Sequence, residues 1–386
     1  MTRGFPTSEY QARLARAQDM MRKAGLSALL LTTEPEIRYF TGFLTRFWES
    51  PTRPWFLVVP EEGAPIAVIP AIGRHLMAQS WISDIRTWAA PDYADDGIGL
   101  LADTLAEVAG PTGRIGLPDQ MESHVRMPLA SLTRLQSLLG DGRLTGDGTI
   151  LRRLRLVKSE AEIAKIRTAC SIANRAFARV PEIAAPGVPL SQVFRRFQML
   201  CLEEGADHVA YLAGAAGQGG YGDVISPADE TPLAANDVLM LDTGLVHDGY
   251  FCDFDRNFSI GPASAEVQSA HSKLIEATAA AFDIARPGTT AADLFQAMNA
   301  IVNPGGAVAE AGRLGHGLGM QLTEWPSLVP DDQTVLTPGM VLTLEPGVAL
   351  PGGRIMVHEE NIVIRENGAE FLSDPTTGPI REVALQ

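Results

Sequence analysis

The segment MLDTGLVHDGYFCDFDRNF sets Asp242, Asp248, Asp253 and Asp255 among Leu, Met, Val, Tyr and Phe. Burying an unpaired carboxylate costs several kcal/mol, so acids in such company are paired, protonated or bound to a cation. VLMLDTGL and YFCDFDRNF read as two strands joined by His247, Asp248 and Gly249, a fold-back that would put Asp242 and Asp253 side by side. Period-2 alternation sends Asp253 and Asp255 to one face and Cys252 to the other. Further along come His316 in GRLGHGLGM, Glu345 in VLTLEPGV and Glu360 in VHEENIVI, the acids again in β-like apolar runs. Asp242, Asp253, His316, Glu345 and Glu360 form a hard, oxygen-rich donor set with one imidazole. Such a set suits a pair of divalent cations, Mn²⁺ foremost, with Fe²⁺, Co²⁺ or Zn²⁺ as alternatives. Four carboxylates balance two such cations; alone they would repel one another and raise each other's pKa values.

The elements that must position these groups follow from the rest of the chain. At 386 residues it exceeds one ordinary core, so two domains are expected. Over the first 150 or so residues, the β-like runs SALLLTT, PWFLVVP, PIAVIP and RIGLP alternate with helix-period segments such as YQARLARAQDMMRKAG, the pattern of an α/β domain. The Gly- and Asp-dense GDGRLTGDGT precedes a basic stretch, LRRLRLVKS, and marks the boundary. The expected domains are 1–155 and 156–386. Ser159 and Glu162 make a capping box for a helix carrying Ile163, Ile166, Cys170, Ala173 and Phe177 at helical spacing. IAAPGVPLSQVF, from Ile183, and IARPGTTAADLF, from Ile284, match at Ile, Ala, Pro, Gly and the closing Phe. This internal repeat implies two similar α+β halves facing each other across a cleft.

Formal charge is −15 and no Lys/Arg-rich run is present, which disfavours a nucleic-acid partner. The first apolar run is too short and too late for a signal peptide or a membrane span, so no membrane association is expected. Cys170, Cys201 and Cys252 are widely spaced and read as reduced thiols of a cytoplasmic protein.

With the residues Asp242, Asp253 eleven positions on, His316, Glu345 and Glu360 in this order, the chain resembles the M24 metallopeptidases, the creatinase/prolidase/aminopeptidase superfamily. EIRYFTGF and RLVKSEAEIAKIR extend the likeness to its two-domain branch. The resemblance implies a creatinase-like α/β N-terminal domain followed by an α+β pita-bread domain with a pseudo-two-fold repeat. It implies the five residues as ligands of two metal ions, and the family register favours Glu360 over Glu359 as the last. It implies Glu345 as ligand and proton shuttle together, and a homodimer in which one N-terminal domain helps to cover the partner's cleft. The activity implied is hydrolysis of an amide or related C–N bond in a small molecule or dipeptide, by water activated between the metals.

Departures from the family pattern concern the substrate side. Val224, with Asp223 beside it, and Thr323 stand where peptidases of this family carry histidines. Asp255 replaces the usual Thr of an Asp-x-Thr-Arg motif, and His358-Glu359-Glu360-Asn361 replaces Arg-Ile-Glu-Asp. A specialised member is therefore expected. Asp255 reads as a further ligand, a carboxylate supporting metal or water from behind, or the partner of Arg256. Asp223 reads as a base or as a turn residue. His358 is read as holding a substrate carboxylate or a ligand glutamate. Trp48, Tyr221 and Trp325 are read as pocket walls, with Thr323 beside them, or as plain core. The alternative activity is a dimethylsulfoniopropionate-type lyase with Asp223 or Asp255 as base, and a third reading is a non-catalytic binding protein.

Overall fold

The computed structural model describes residues 3–50, 54–305 and 312–385. The chain divides into two compact units, Met1–Arg155 and Leu156–Gln386. The first holds a mixed six-stranded sheet. Its strands are β1 (Ala28–Leu31), β2 (Phe56–Pro60), β3 (Ile66–Pro70), β4 (Asp84–Trp88), β5 (Ile115–Leu117) and β6 (Leu144–Gly146), in the order β4-β3-β2-β1-β5-β6. β1 reads ALLL and is buried throughout, which is why it shows no alternation. It lies antiparallel to β2 and parallel to β5. Helix α1 (Thr7–Ala24) buries Tyr10, Leu14, Ala17 and Met21, a stripe at three- and four-residue spacing, and stops at Gly25, whose φ of 65° suits a left-handed cap. Helices α2 (Glu34–Thr41), α3 (Arg74–Met77), α4 (Ile98–Ala109) and α5 (Leu129–Leu139) complete this unit. Leu101, Leu105 and Leu135 join Leu30, Val58 and Ile115 in one core. A short helix, α6 (Ile150–Leu156), runs through the point of division.

The second unit begins with α7 (Glu160–Ala178). Ser159 Oγ accepts from the Glu162 amide at 3.3 Å and Glu162 accepts from the Ser159 amide at 3.0 Å, the reciprocal cap that its sequence specifies. Helix α8 (Leu190–Glu203) follows, then β7 (His208–Gln218), β8 (Asp237–His247), β9 (Tyr250–Phe251) and β10 (Phe254–Ile260). Helices α9 (Ala265–Ile284) and α10 (Ala291–Val302) open a second half. It continues with β11 (His316–Gly317), β12 (Glu324–Ser327), β13 (Val341–Leu344), β14 (Gly347–Leu350), β15 (Arg354–Val357), β16 (Glu360–Arg365), β17 (Gly368–Phe371) and β18 (Arg381–Val383). One sheet runs β18-β10-β8-β7, the other β12-β11-β13-β16-β17, and β14 pairs with β15 as a hairpin.

The sequence repeat is a structural repeat. Each copy joins two helices that precede an antiparallel sheet, and each makes the same backbone contacts. The Gly187 amide bonds the Leu233 carbonyl, as Gly288 bonds Leu336. Leu190 bonds Thr231 as Ala291 bonds Thr334, and Ser191 bonds Asp229 as Ala292 bonds Asp332. Among the described residues no helix is long and apolar enough to cross a membrane.

Because the α7 cap satisfies two amides that no helical bond can reach, Ser159→Ala is expected to lower stability by about 1 kcal/mol. Urea unfolding checks this, with activity per folded molecule unchanged.

Candidate metal centre

The acidic hairpin turns at Asp248-Gly249, with φ of 46° and 78°, the positive pair that a two-residue hairpin turn requires. His247 pairs with Tyr250 across it. Asp248 is thereby committed to the turn, where it forms an ion pair with Lys165. The same register sets Asp255, not Asp253, directly opposite Asp242. Asp253 lies just before β10, diagonal to Asp242, and Cys252 is buried with its thiol on the Thr243 carbonyl.

The second half supplies the rest from strand ends. His316 opens β11, Glu345 follows β13, and Glu359 precedes β16. Leu344 pairs with Glu360 in the β13–β16 ladder, so Glu345 and Glu359 are the next residues beyond it. Donor atoms of Asp253, His316, Glu345 and Glu359 all lie within 4.8 Å of one another. His316 Nε2 is 2.9 Å from Glu345 Oε1 and 3.3 Å from Asp253 Oδ2. Its Nδ1 is 2.8 Å from the Gly317 carbonyl, a contact that requires the hydrogen on Nδ1 and turns Nε2 toward the acids.

Glu360 is not part of this group. Alternation along β16 turns it the other way, where Arg256 Nη2 holds it at 2.9 Å, the Ser373 hydroxyl donates to it and the Thr376 amide donates at 2.8 Å. Burial opposes its ionisation, but Arg256 and His358 outweigh burial and hold the carboxyl at about 2. The register that the resemblance implies favours Glu360; in the structure it is Glu359 that gathers with Asp253, His316 and Glu345.

Three further residues brace the group. The Thr343 hydroxyl donates to Glu345 Oε1 and accepts from the His316 amide at 3.0 Å. Asn361 Oδ1 accepts from the Asp253 amide at 3.0 Å while its Nδ2 donates to the Asp253 carbonyl, clamping that residue's backbone from the opposite sheet. The Cys170 thiol is 3.3 Å from the same Asn361 oxygen.

The electrostatics are those of a site built for positive charge. Burial and the neighbouring acids push Asp242 and Glu359 well above the carboxylate range, and burial raises Asp253 to about 6. Burial would lower His316, yet Glu345 and Asp253 raise it to about 10, and His316 in turn outweighs burial to hold Glu345 at about 2. Buried oxygens Asp242 Oδ1, Asp255 Oδ1 and Glu359 Oε1 have no hydrogen-bond partner. Oxygen donors without hydrogens to meet them, beside an imidazole whose Nε2 faces the acids and can exchange its proton for a metal, fit one or more divalent cations.

These groups line a cavity of about 620 Å³ that also receives Tyr211, Arg313, Val224, Thr323 and His358. Tyr211 and Arg313 sit in no motif that marked them beforehand; only the folded cavity singles them out. Other residues read as site members lie elsewhere. Asp223 is exposed and caps its own turn, accepting from the Ile225 and Ser226 amides at 2.9 and 2.8 Å. Tyr221 is core, its hydroxyl accepting from the Val357 amide at 2.7 Å. Trp325 donates to Thr334 at 3.0 Å. Trp48 belongs to the first unit, where its ring lies 5.7 Å from that of Trp55. Asp255 lines the cavity, and Arg256 meets its backbone carbonyl rather than its carboxylate.

An Asp/Glu/His cluster raised on the strand ends of a duplicated α+β unit, which follows an α/β unit along the chain, defines a metal-dependent hydrolase of two-domain build. The profile of metallopeptidase family M24 matches residues 164–366, and that of the creatinase/prolidase N-terminal domain matches residues 13–157. The chain is 31% identical over 379 residues to the probable dipeptidase PepE of Mycobacterium tuberculosis, covering 95% of both chains. It is 32% identical over 364 residues to the Xaa-Pro dipeptidase of Pyrococcus horikoshii, covering 92% of this chain and 95% of that one. The crystal structure of dipeptidase PepE from Mycobacterium ulcerans superposes with a TM-score of 0.85 at 30% identity, over 99% of this chain and 100% of that chain. This chain belongs to metallopeptidase family M24.

Two outcomes follow. Glu359→Gln is expected to reduce bound metal, whereas Glu360→Gln keeps the metal and loses about 2 kcal/mol of stability through weakened contacts to Arg256; metal analysis and denaturant melts separate them. His271, buried on α9 with neither ring nitrogen bonded, has its pKa lowered to about 4 by burial, with His358 and Arg256 adding to it. The unfolded chain takes up a proton there near pH 6.5 that the folded chain refuses, so this part of the stability is whole above about pH 6.5 and falls as pH drops toward 4. His271→Phe should flatten that limb of the stability–pH curve.

Proposed function

We propose that the chain is a dipeptidase-type hydrolase using two divalent ions, Mn²⁺ foremost, held by Asp242, Asp253, His316, Glu345 and Glu359. The observation that carries this is the convergence of Asp253, His316, Glu345 and Glu359 on one point of a cavity of about 620 Å³, a volume suited to a small ligand. The names of its relatives, a probable dipeptidase and an Xaa-Pro dipeptidase, support a small peptide or related metabolite as substrate. A second copy of the chain is the partner that the resemblance implies.

Divalent ions bound here supply Lewis acidity to a scissile carbonyl and lower the pKa of water toward neutrality. The chain's own groups do the rest. Glu345, ionised and fixed by Thr343 and His316, accepts the proton of the attacking water and returns it to the leaving nitrogen. Arg313 offers its guanidinium to a substrate carboxylate. Leu322, Val348 and Ala349 give the cavity an apolar side that excludes bulk water from the reacting bond.

Val224 and Thr323 both line this cavity. Where the resemblance implies imidazoles, an isopropyl group and a hydroxyl stand, so one donor to a developing oxyanion is missing and the other is replaced by a shorter hydroxyl that accepts from Arg313. One such donor is worth about 100- to 1000-fold in rate. This supports a specialised enzyme rather than a general Xaa-Pro peptidase. β-Elimination is not favoured, since Asp223, one of its two bases, points to solvent and the relatives are peptidases.

Chelation is expected to abolish turnover and lower the melting temperature, with Mn²⁺ restoring both. In a panel of dipeptides and small zwitterions, Xaa-Pro dipeptides are expected to turn over at least about 100-fold more slowly than the preferred substrate, and Thr323→His to narrow that gap. Rapid cleavage of several Xaa-Pro dipeptides by the unmodified protein would contradict the specialised reading.

A further inference from the structure

Asp255 and His358 make a second junction in the same cavity that the five ligands above leave unused. Asp255 stands opposite Asp242 in the β8–β10 ladder, so the two carboxylates rise from one face of the sheet. His358 stands between β15 and β16, beside Glu359. Its Nε2 lies 3.2 Å from Glu360 Oε1, and Arg256 keeps that carboxylate charged, so Nε2 carries the hydrogen and donates it. Without a metal ion Asp255 and Glu360 favour the protonated ring; an ion at Nδ1 displaces that proton and takes the lone pair. Nδ1 has no hydrogen-bond partner and faces Asp255 Oδ1 at 3.6 Å, an oxygen equally without one.

Asp242 Oδ1 is a third acceptor in the same condition. Asp255 and His358 are 1% and 2% exposed, so bulk water does not serve them. These buried atoms without a hydrogen-bond partner are met either by a proton on His358 Nδ1, shared with Asp255 across a long 3.6 Å pair, or by a metal ion. Carboxylate oxygens with one imidazole nitrogen are the donors that a divalent transition ion takes. His358 also has the feature that marks a metal-binding histidine, its second ring nitrogen tied to a carboxylate.

We propose that Asp255 and His358 bind the divalent ion on the Asp242 side of the centre, giving that ion an imidazole of its own. The proposal rests on the two-ion reading above and deepens it. Each ion then has one histidine, His316 for one and His358 for the other. It also explains why an acid stands at position 255, where the resemblance implies a threonine: a second carboxylate and a nearby imidazole act together, and either alone would be a buried group without a partner.

The test titrates the metal-free full-length protein with Co²⁺, following binding by calorimetry and by visible absorption, in the wild type and in Asp255→Asn and His358→Gln. The wild type is expected to take two ions. Each variant should keep one at wild-type affinity and hold the other roughly 10- to 100-fold more weakly, with the absorption of that second equivalent altered in His358→Gln. Two ions bound at wild-type affinity and with unchanged absorption in both variants would overturn the proposal and leave Asp255 and His358 as an imidazolium–carboxylate pair. A wild type that takes only one ion would overturn the two-ion reading, and this proposal with it. Should either variant fail to fold, wild-type protein labelled with ¹⁵N-histidine and loaded with ¹¹³Cd²⁺ decides the same point. Metal coupling to both His316 and His358 is expected, and coupling to His316 alone would refute the assignment.

Discussion

Repulsion among carboxylates held close together out of water is the constraint on which the catalytic unit depends. Asp242, Asp253, Glu345 and Glu359 would each be ionised in solvent at neutral pH. Gathered around His316 they cannot all be so without added positive charge. The fold resists that repulsion with rigid parts. Asp242 is fixed in the middle of β8 by neighbours on both sides, Asp253 is clamped front and back by Asn361, and Glu345 is tied to the His316 backbone through one threonine hydroxyl. A site so braced is ready for a cation at little reorganisation cost.

The duplicated architecture explains how so many acids can be brought together. A single sheet delivers side chains at fixed spacing along one face, which gives Asp242, Asp253 and Asp255 but no imidazole. The second half, built on the same helix, Pro-Gly turn, helix and antiparallel sheet plan, brings His316, Glu345 and Glu359 from its own strand ends. The apolar residues of the second half's helices and sheet share one core, which Val238 and Met240 of β8 join. Leu274, Leu294 and Phe295 pack with Leu342 and Ile362 in this way.

Much of this could be read from the chain. The buried strands of the first unit announce themselves as short apolar runs, α7 by a reciprocal cap, and the repeat by two Ile-Ala-x-Pro-Gly turns. That Asp253, His316 and Glu345 come together follows from acids and an imidazole placed where charge is otherwise excluded. The choice between Glu359 and Glu360 was not readable from composition, because both are buried and one step along a strand reverses the face; only the pairing of Leu344 with Glu360 decides it. Asp223 and Asp255 look alike in sequence, yet one caps an exposed turn and the other lines the cavity. Tyr211 and Arg313 carry no local signal, since their place is set by contacts far apart in the chain.

The most direct test of the account is the anomalous scattering of crystals grown with Mn²⁺. Two peaks in the cavity among Asp242, Asp253, His316, Glu345 and Glu359, with Glu360 still on Arg256, are the result predicted. A cavity without anomalous density at full Mn²⁺ loading, or a manganese ion ligated by Glu360 in place of Glu359, would contradict it.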